Sequence, residues 1–127
     1  MVDDDPIVGA STVAMLEDIG HTAIKVGSAA DAIEALEAEP GIDIVVSDYA
    51  MPGMTGKALA ERIHGEWPGM PVVIATGYSE EPKEQLSLPR LGKPYRQEEL
   101  AALIETTIEN SARDSSKAPF NNNLSDR

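Results

Sequence analysis

Cysteine is missing from all 127 residues, so the chain has no disulfide and no thiolate metal site. That is compatible with a reducing compartment, and a cytoplasmic protein is expected. Aromatic residues make up only 4%, so a core must be assembled from Ala, Val, Ile, Leu and Met. No apolar run approaches the ~20 residues needed to span a bilayer. The start, Met1-Val2-Asp3-Asp4-Asp5, is acidic where a secretory signal begins basic. Basic residues are scarce as well: 10 Lys and Arg stand against 22 Asp and Glu, a formal net charge of -12. Such a surface repels phosphate backbones and anionic lipid, so neither direct nucleic-acid binding nor a membrane role is expected.

What remains is an ordinary globular composition, 42% hydrophobic and 25% charged, at the length of one domain. Short apolar runs alternate with helix-period segments, which predicts repeated βαβ units and a parallel sheet. Ile42 to Asp48 is β-branched and nearly continuous after the Pro40-Gly41 breaker, and Pro71 to Ala75 is of the same kind. Thr22 to Val26 alternates like a strand nearer an edge, and Arg90-Leu91-Gly92 is a short last strand. Helices are predicted over Pro6–Ile19 with Gly20 as the stop, from a Ser28 cap onwards, over Thr55–Glu66 and over Gln97–Asn110. Leu100, Leu103, Ile104, Thr107 and Ile108 follow the spacing of one buried helical face. Glu98 and Glu99 suit that helix's N-terminal dipole; Arg96 does not. Only Met1 and Val2 precede the acidic triplet, so a first strand is a stub. Between Ser79 and Pro89 two prolines leave room for little more than one helical turn. Residues 1–110 are read as the domain and 111–127 as a polar, disordered tail.

Four polar features fall where strands should end: Asp3-Asp4-Asp5, Asp48, Thr76 and Lys93. In an open parallel sheet, ligands bind beyond the carboxyl ends of the strands. Carboxylates gathered on that rim repel one another unless a cation sits among them, and an all-oxygen donor set favours Mg²⁺ (or Mn²⁺). A lysine and a threonine hydroxyl facing the same point suit a transferring phosphoryl group, with one carboxylate left as nucleophile.

The fragments Val2-Asp3-Asp4-Asp5-Pro6, Ser47 to Gly56 (Ser-Asp-Tyr-Ala-Met-Pro-Gly-Met-Thr-Gly), Ala75-Thr76-Gly77 and Gly92-Lys93-Pro94-Tyr95, in this order, resemble the response-regulator receiver family of two-component signalling. The resemblance runs from residue 2 to about residue 108 and implies a flavodoxin-like (CheY-like) doubly wound sheet of five parallel strands, order 2-1-3-4-5. It implies Asp48 as phosphoacceptor, Asp4 as a direct Mg²⁺ ligand, Asp3 as a helper through water, and the Ala50 backbone carbonyl as a further ligand. Thr76 and Lys93 would each contact a phosphoryl oxygen, and Lys93-Pro94 is a candidate cis peptide. Gly77 keeps space open beside Thr76, while Met51-Pro52 and Gly56 shape the loop after Asp48. The implied donor is a histidine kinase or a histidine phosphotransfer protein. The implied chemistry is the domain's own phosphorylation and dephosphorylation, with no other enzyme activity.

Three departures from the family pattern carry expectations. Arg90 stands where receivers carry an aromatic switch residue, so Gly77, Tyr78 and Arg90 become the switch candidates. The short stretch between Thr76 and Lys93 resembles a subgroup, seen in single-domain regulators and hybrid-kinase receivers, in which a loop replaces most of the fourth helix. The stub first strand predicts that apolar residues added ahead of Val2 would raise stability. Two other functions compete. A phosphatase of the haloacid-dehalogenase type wants an acid two residues after its nucleophile, and Ala50 is there instead. A phosphate-independent receiver-like interaction module usually loses part of the acidic set or the lysine, and both are present. No basic recognition helix follows Asn110.

Overall fold

The β-branched, apolar stretch Ile44-Val45-Val46 can be buried on both faces, and Val45–Asp48 (β1) is buried at every position. Val72–Thr76 (β2) is likewise buried throughout, and Arg90–Gly92 (β3) buries only Leu91. The computed structural model of the chain describes residues 1–77 and 88–110, with backbone alone for 111–117. Its sheet is parallel with order β1-β2-β3; Val45 pairs with Val72, Asp48 with Ala75, and Thr76 with Gly92. On the free side of β1, Val2 forms parallel bridges to both Ser47 and Val26. Val2 N donates to Val46 O at 2.8 Å and Asp48 N to Val2 O at 2.9 Å, while Asp3 N donates to Val26 O at 3.1 Å. The lateral sequence is therefore Val26, Val2, β1, β2, β3, the expected 2-1-3-4-5 arrangement with its first two members reduced to bridges. The strand predicted over Thr22–Val26 does not form as such. Among the described residues its backbone partners are Met1 and Asp3, and those bonds reach no further back than Ile24. For the same reason Ile42–Ile44 lie outside β1.

Each described helix starts at a side-chain cap. The Asp5 carboxylate accepts from Ile7 N and Val8 N to open α1 (Pro6–Asp18), and Gly20, at φ +99°, follows its end. Ser28 Oγ caps α2 (Ala29–Ala38) through Asp31 N, and Thr55 Oγ1 caps α3 (Gly56–Glu66) through Ala58 N. At the start of α4 (Gln97–Lys117), Glu99 reaches back to the backbone N–H of Arg96 at 2.7 Å. This is the reciprocal half of a capping box, and it explains why Arg96 is tolerated there: its main chain, not its charge, is used. The helix was expected to stop at Asn110 and instead continues to Lys117. Its sequence holds no Gly or Pro in that stretch, and the first breaker is Pro119. The rest of the proposed tail lies outside the described residues. So do Tyr78 and residues 79–87, where a loop was expected to replace a helix.

The period of two along the strands sorts side chains to two layers. Val2, Val45, Val72 and Ile74 pack with Ile33, Leu36, Leu59 and Ile63 of α2 and α3. Val46, Val73 and Leu91 pack with Leu16 of α1 and with Leu100 and Ile104 of α4. The fold is thus a doubly wound, flavodoxin-like sheet. No helix among the described residues is long and apolar enough to cross a membrane.

Candidate functional site

Because the strands are parallel, their carboxyl ends share one rim. Asp3 follows Val2, Asp48 ends β1, Thr76 ends β2 and Lys93 follows β3. Asp3 and Asp48 are almost fully buried, at 1% and 3% exposure, and Thr76 is buried beside them. Lys93 Nζ donates to Asp48 Oδ1 at 2.6 Å and lies 3.9 Å from Asp3 Oδ2. The lysine main chain is fixed by its N–H on Thr76 O at 2.8 Å, and the Lys93–Pro94 peptide is cis, as the sequence indicated.

Asp3, Asp4 and Asp48 each offer a carboxylate oxygen within 4.8 Å of the others. Asp4 is exposed at the mouth of the group. Asp5, also exposed, is turned away from it to cap α1, and its own N–H is held by Asp3 Oδ1 at 2.9 Å. Asp3 Oδ2 has no hydrogen-bond partner among the described residues, although it is buried. A buried carboxylate oxygen without a donor is costly. Three carboxylates facing one ammonium leave negative charge in excess. A hard divalent cation such as Mg²⁺ answers both, and the donor set, oxygen throughout, fits it.

The loop after Asp48 is held close. Tyr49 N donates to Ala75 O at 2.9 Å and Gly56 N to Tyr49 O at 2.7 Å. A side chain at Gly56 would place Cβ 2.5 Å from Asp48 O, so only glycine fits there. Ala50 lies in this loop, half-buried, two residues beyond Asp48. Gly77 is half-buried directly after Thr76. Arg90 opens β3 opposite Ile74 and is exposed. His21 and His64 are both exposed, away from the acids.

Two participants were not singled out from sequence. Thr12 is buried in the middle of α1, and its hydroxyl is hydrogen-bonded to the Tyr95 phenol. Burial pushes the phenol's pKa up from its ordinary value, opposed by the Thr12 bond and by Lys93. Tyr95 belongs to the Gly92–Tyr95 fragment, but nothing in that fragment points to Thr12. The available signal was spacing: Thr12 lies four residues before Leu16, on the helix face that turns inward. Lys25 is the other contact, its side chain crossing α1 where Gly9 has no Cβ, next to Asp3.

Comparison with known proteins agrees with this geometry. The response regulator receiver domain family matches residues 1–105. The DNA-binding transcriptional regulator NtrC of Escherichia coli (strain K12) is 33% identical over 113 residues, 85% of this chain and 24% of that protein. Sensor kinase CckA of Brucella abortus (strain 2308) is 30% identical over 116 residues, 86% of this chain and 12% of that one. The chain thus spans less than a quarter of either relative. Among solved structures, a response regulator receiver domain protein from Clostridium thermocellum superposes with a TM-score of 0.77 at 21% identity, covering 88% of this chain and 94% of the other. With the match spanning most of the chain and the acids, threonine and lysine on one rim, this protein belongs to the response regulator receiver domain family.

Proposed function

We propose that Asp48 takes a phosphoryl group from the phosphohistidine of a histidine kinase or histidine phosphotransfer protein. The observation that carries this reading is the Lys93 Nζ contact on Asp48 Oδ1 at 2.6 Å beside the buried Asp3 Oδ2, which accepts no hydrogen bond among the described residues. One group is poised on the nucleophile, and a second oxygen waits for a cation. A carboxylate oxygen of Asp48 attacks phosphorus, the P–N bond breaks, and its electron pair stays on the imidazole nitrogen. The product on this chain is an acyl phosphate. Lys93 then pairs with a phosphoryl oxygen, and the Thr76 hydroxyl donates to another. Asp3, Asp4, Asp48 and the Ala50 carbonyl are the residues that would hold Mg²⁺ (or Mn²⁺). Bound there, the metal offsets the charge gathering on the equatorial oxygens.

The modification adds about -1.5 to -2 charge at neutral pH, and the 76–90 region, through Thr76 and Gly77, is where we place the response. In this reading the reaction runs in the cytoplasm, a compartment with which a chain free of cysteine is compatible. The chain does no chemistry on other substrates in this reading. Incubation with acetyl phosphate, with and without Mg²⁺, followed by intact mass measurement is the test. The expected result is a single phosphoryl adduct that needs Mg²⁺ and is missing from Asp48→Asn. A folded wild-type sample that gains no mass overturns the reading.

A further inference from the structure

The proposed chemistry asks a long, flexible side chain to meet one carboxylate oxygen. Lysine carries about 2 kcal/mol of rotamer entropy, so its backbone must be well fixed for the ammonium to stay on target. Upstream, the sheet does this through Lys93 N on Thr76 O. Downstream, the chain leaves the sheet at once, with Pro94 and Arg96 both exposed. Tyr95 ties that side down, its phenol reaching 83 residues back to Thr12 Oγ1, while Gln97 Nε2 at the start of α4 donates to Asp18 Oδ2 at 3.2 Å on the far end of α1. Thr12 is 1% exposed, so its hydroxyl has no ready access to water. α1 is a suitable anchor because its other end is fastened to the acids: Asp5 caps it, and Asp3 holds Asp5.

We infer that Tyr95 and Thr12 are a positioning pair, holding the Lys93 ammonium at Asp48 by locking its loop to the helix that begins at the acid cluster. The inference rests on the phosphoacceptor reading for its kinetic consequence and on geometry alone for the placement of Lys93. Tyr95→Phe removes the phenolic oxygen, leaves the ring, and strands the buried Thr12 hydroxyl. Thr12→Ser keeps the bond, and Thr12→Val removes it from the other side.

The experiment measures the rate of Asp48 phosphorylation by acetyl phosphate at saturating Mg²⁺, for Tyr95→Phe in the wild-type background and in Lys93→Ala. Loss of one hydrogen bond that acts through Lys93 is expected to slow the wild-type background by about fivefold. In Lys93→Ala the same change is expected to cost nothing further, the signature of two residues acting as one unit. Thr12→Val should reproduce the loss and Thr12→Ser should restore the rate. A second readout needs no phosphodonor: reductive methylation of Lys93, followed by peptide mass, should be faster in Tyr95→Phe than in wild type. An equal fall in rate in both backgrounds would mean a merely structural role, and an unchanged Lys93 labelling rate would mean the ammonium was never held; either overturns the inference. If wild-type protein takes no phosphoryl group, the phosphoacceptor reading falls on its own, and the labelling comparison still decides the positioning role.

Discussion

At the carboxyl ends of the strands, Asp3, Asp48 and Thr76 are buried and the backbone bonds of Val2, Asp3 and Asp48 close the gaps between neighbouring strands. At the opposite ends, the sheet is open between Ile24 and Ile44. A cavity of about 730 Å³ lies there, lined by Met1, Leu16, Leu36, Ile44, Ile104 and Ile108 among others. Ile24 is 42% exposed, and the Met1 amine occupies the place a strand's next peptide unit would take, donating to Ile24 O at 2.8 Å. The tight end gathers like charges that destabilise it until a cation arrives, and the loose end gathers apolar groups with too little to cover them. The proposed function depends on the first end; the room for added stability lies at the second.

The tightness of the rim is easiest to break at Gly56. Its missing Cβ would sit 2.5 Å from Asp48 O and 3.0 Å from Tyr49 Cα, and both are backbone atoms that cannot swing aside. Gly56→Ala is expected to cost about 2–3 kcal/mol in urea unfolding, the upper part of the range for overpacking, and to slow phosphorylation by moving Asp48. Gly65→Ala is the matched control. It lies in the same helix with nothing within 4 Å of the added atom, and a gain of about 0.5 kcal/mol is expected from helix propensity alone. Equal effects at the two glycines would mean that the loop after Asp48 is not held as tightly as its contacts indicate.

The rim was legible in the sequence because each of its parts is a polar residue placed at the end of a strand-like run. Asp48 after Val45-Val46-Ser47, Thr76 after Ile74-Ala75 and Lys93 after Leu91-Gly92 announce both a strand end and a polar group on the rim. The loose end was less legible. Ile42–Ile44 and Thr22–Ala23 have good strand composition, yet they are not strands, because pairing depends on a neighbour's length and not on local propensity. Thr12 was hidden for a different reason. A threonine amid a helix is usually a surface residue, and only the partner contributed by Tyr95 makes its burial acceptable. In α1 the large apolar Ile7 is 79% exposed while Gly9 and Thr12 are buried. Gly9 is buried because Lys25 and Asp3 crowd it, a constraint that arrives from other strands. The C-terminal end of α4 followed from the lack of a breaker, which polar composition alone concealed.

The loose end can be tightened by joining two or three apolar, β-branched residues ahead of Met1. Val2 bonds to β1 and Met1 to the Ile24–Val26 segment, so a preceding residue would turn its peptide toward β1 at Ile44 and Val46. Burying two such side chains contributes about 1.5–3 kcal/mol each, against about 1–2 kcal/mol of backbone ordering per residue. A net gain of about 2 kcal/mol is expected, read as a rise in thermal midpoint with the phosphorylation rate unchanged. No rise would mean that the cavity does not accept a strand, and the openness of that end would need another explanation.

The smallest effect distinguishes the amine from the apolar surface around it. Burial pushes the Met1 amine down to about 6 from its ordinary 8.0. Below pH 6 both folded and unfolded chains carry the proton, and the folded state bears the full cost of a poorly solvated charge. Between pH 6 and pH 8 the unfolded chain keeps a proton that the folded chain has released, so stability rises with pH across that window and levels off above it. The expected rise is ~1 kcal/mol, allowing for solvent at that edge of the sheet. The extended chain replaces the amine with a peptide N–H, so its midpoint should lose the Met1 share of the slope between pH 6 and pH 8. Identical slopes in the two chains would mean that the amine does not carry the dependence, and would leave the gain from extension to apolar burial alone.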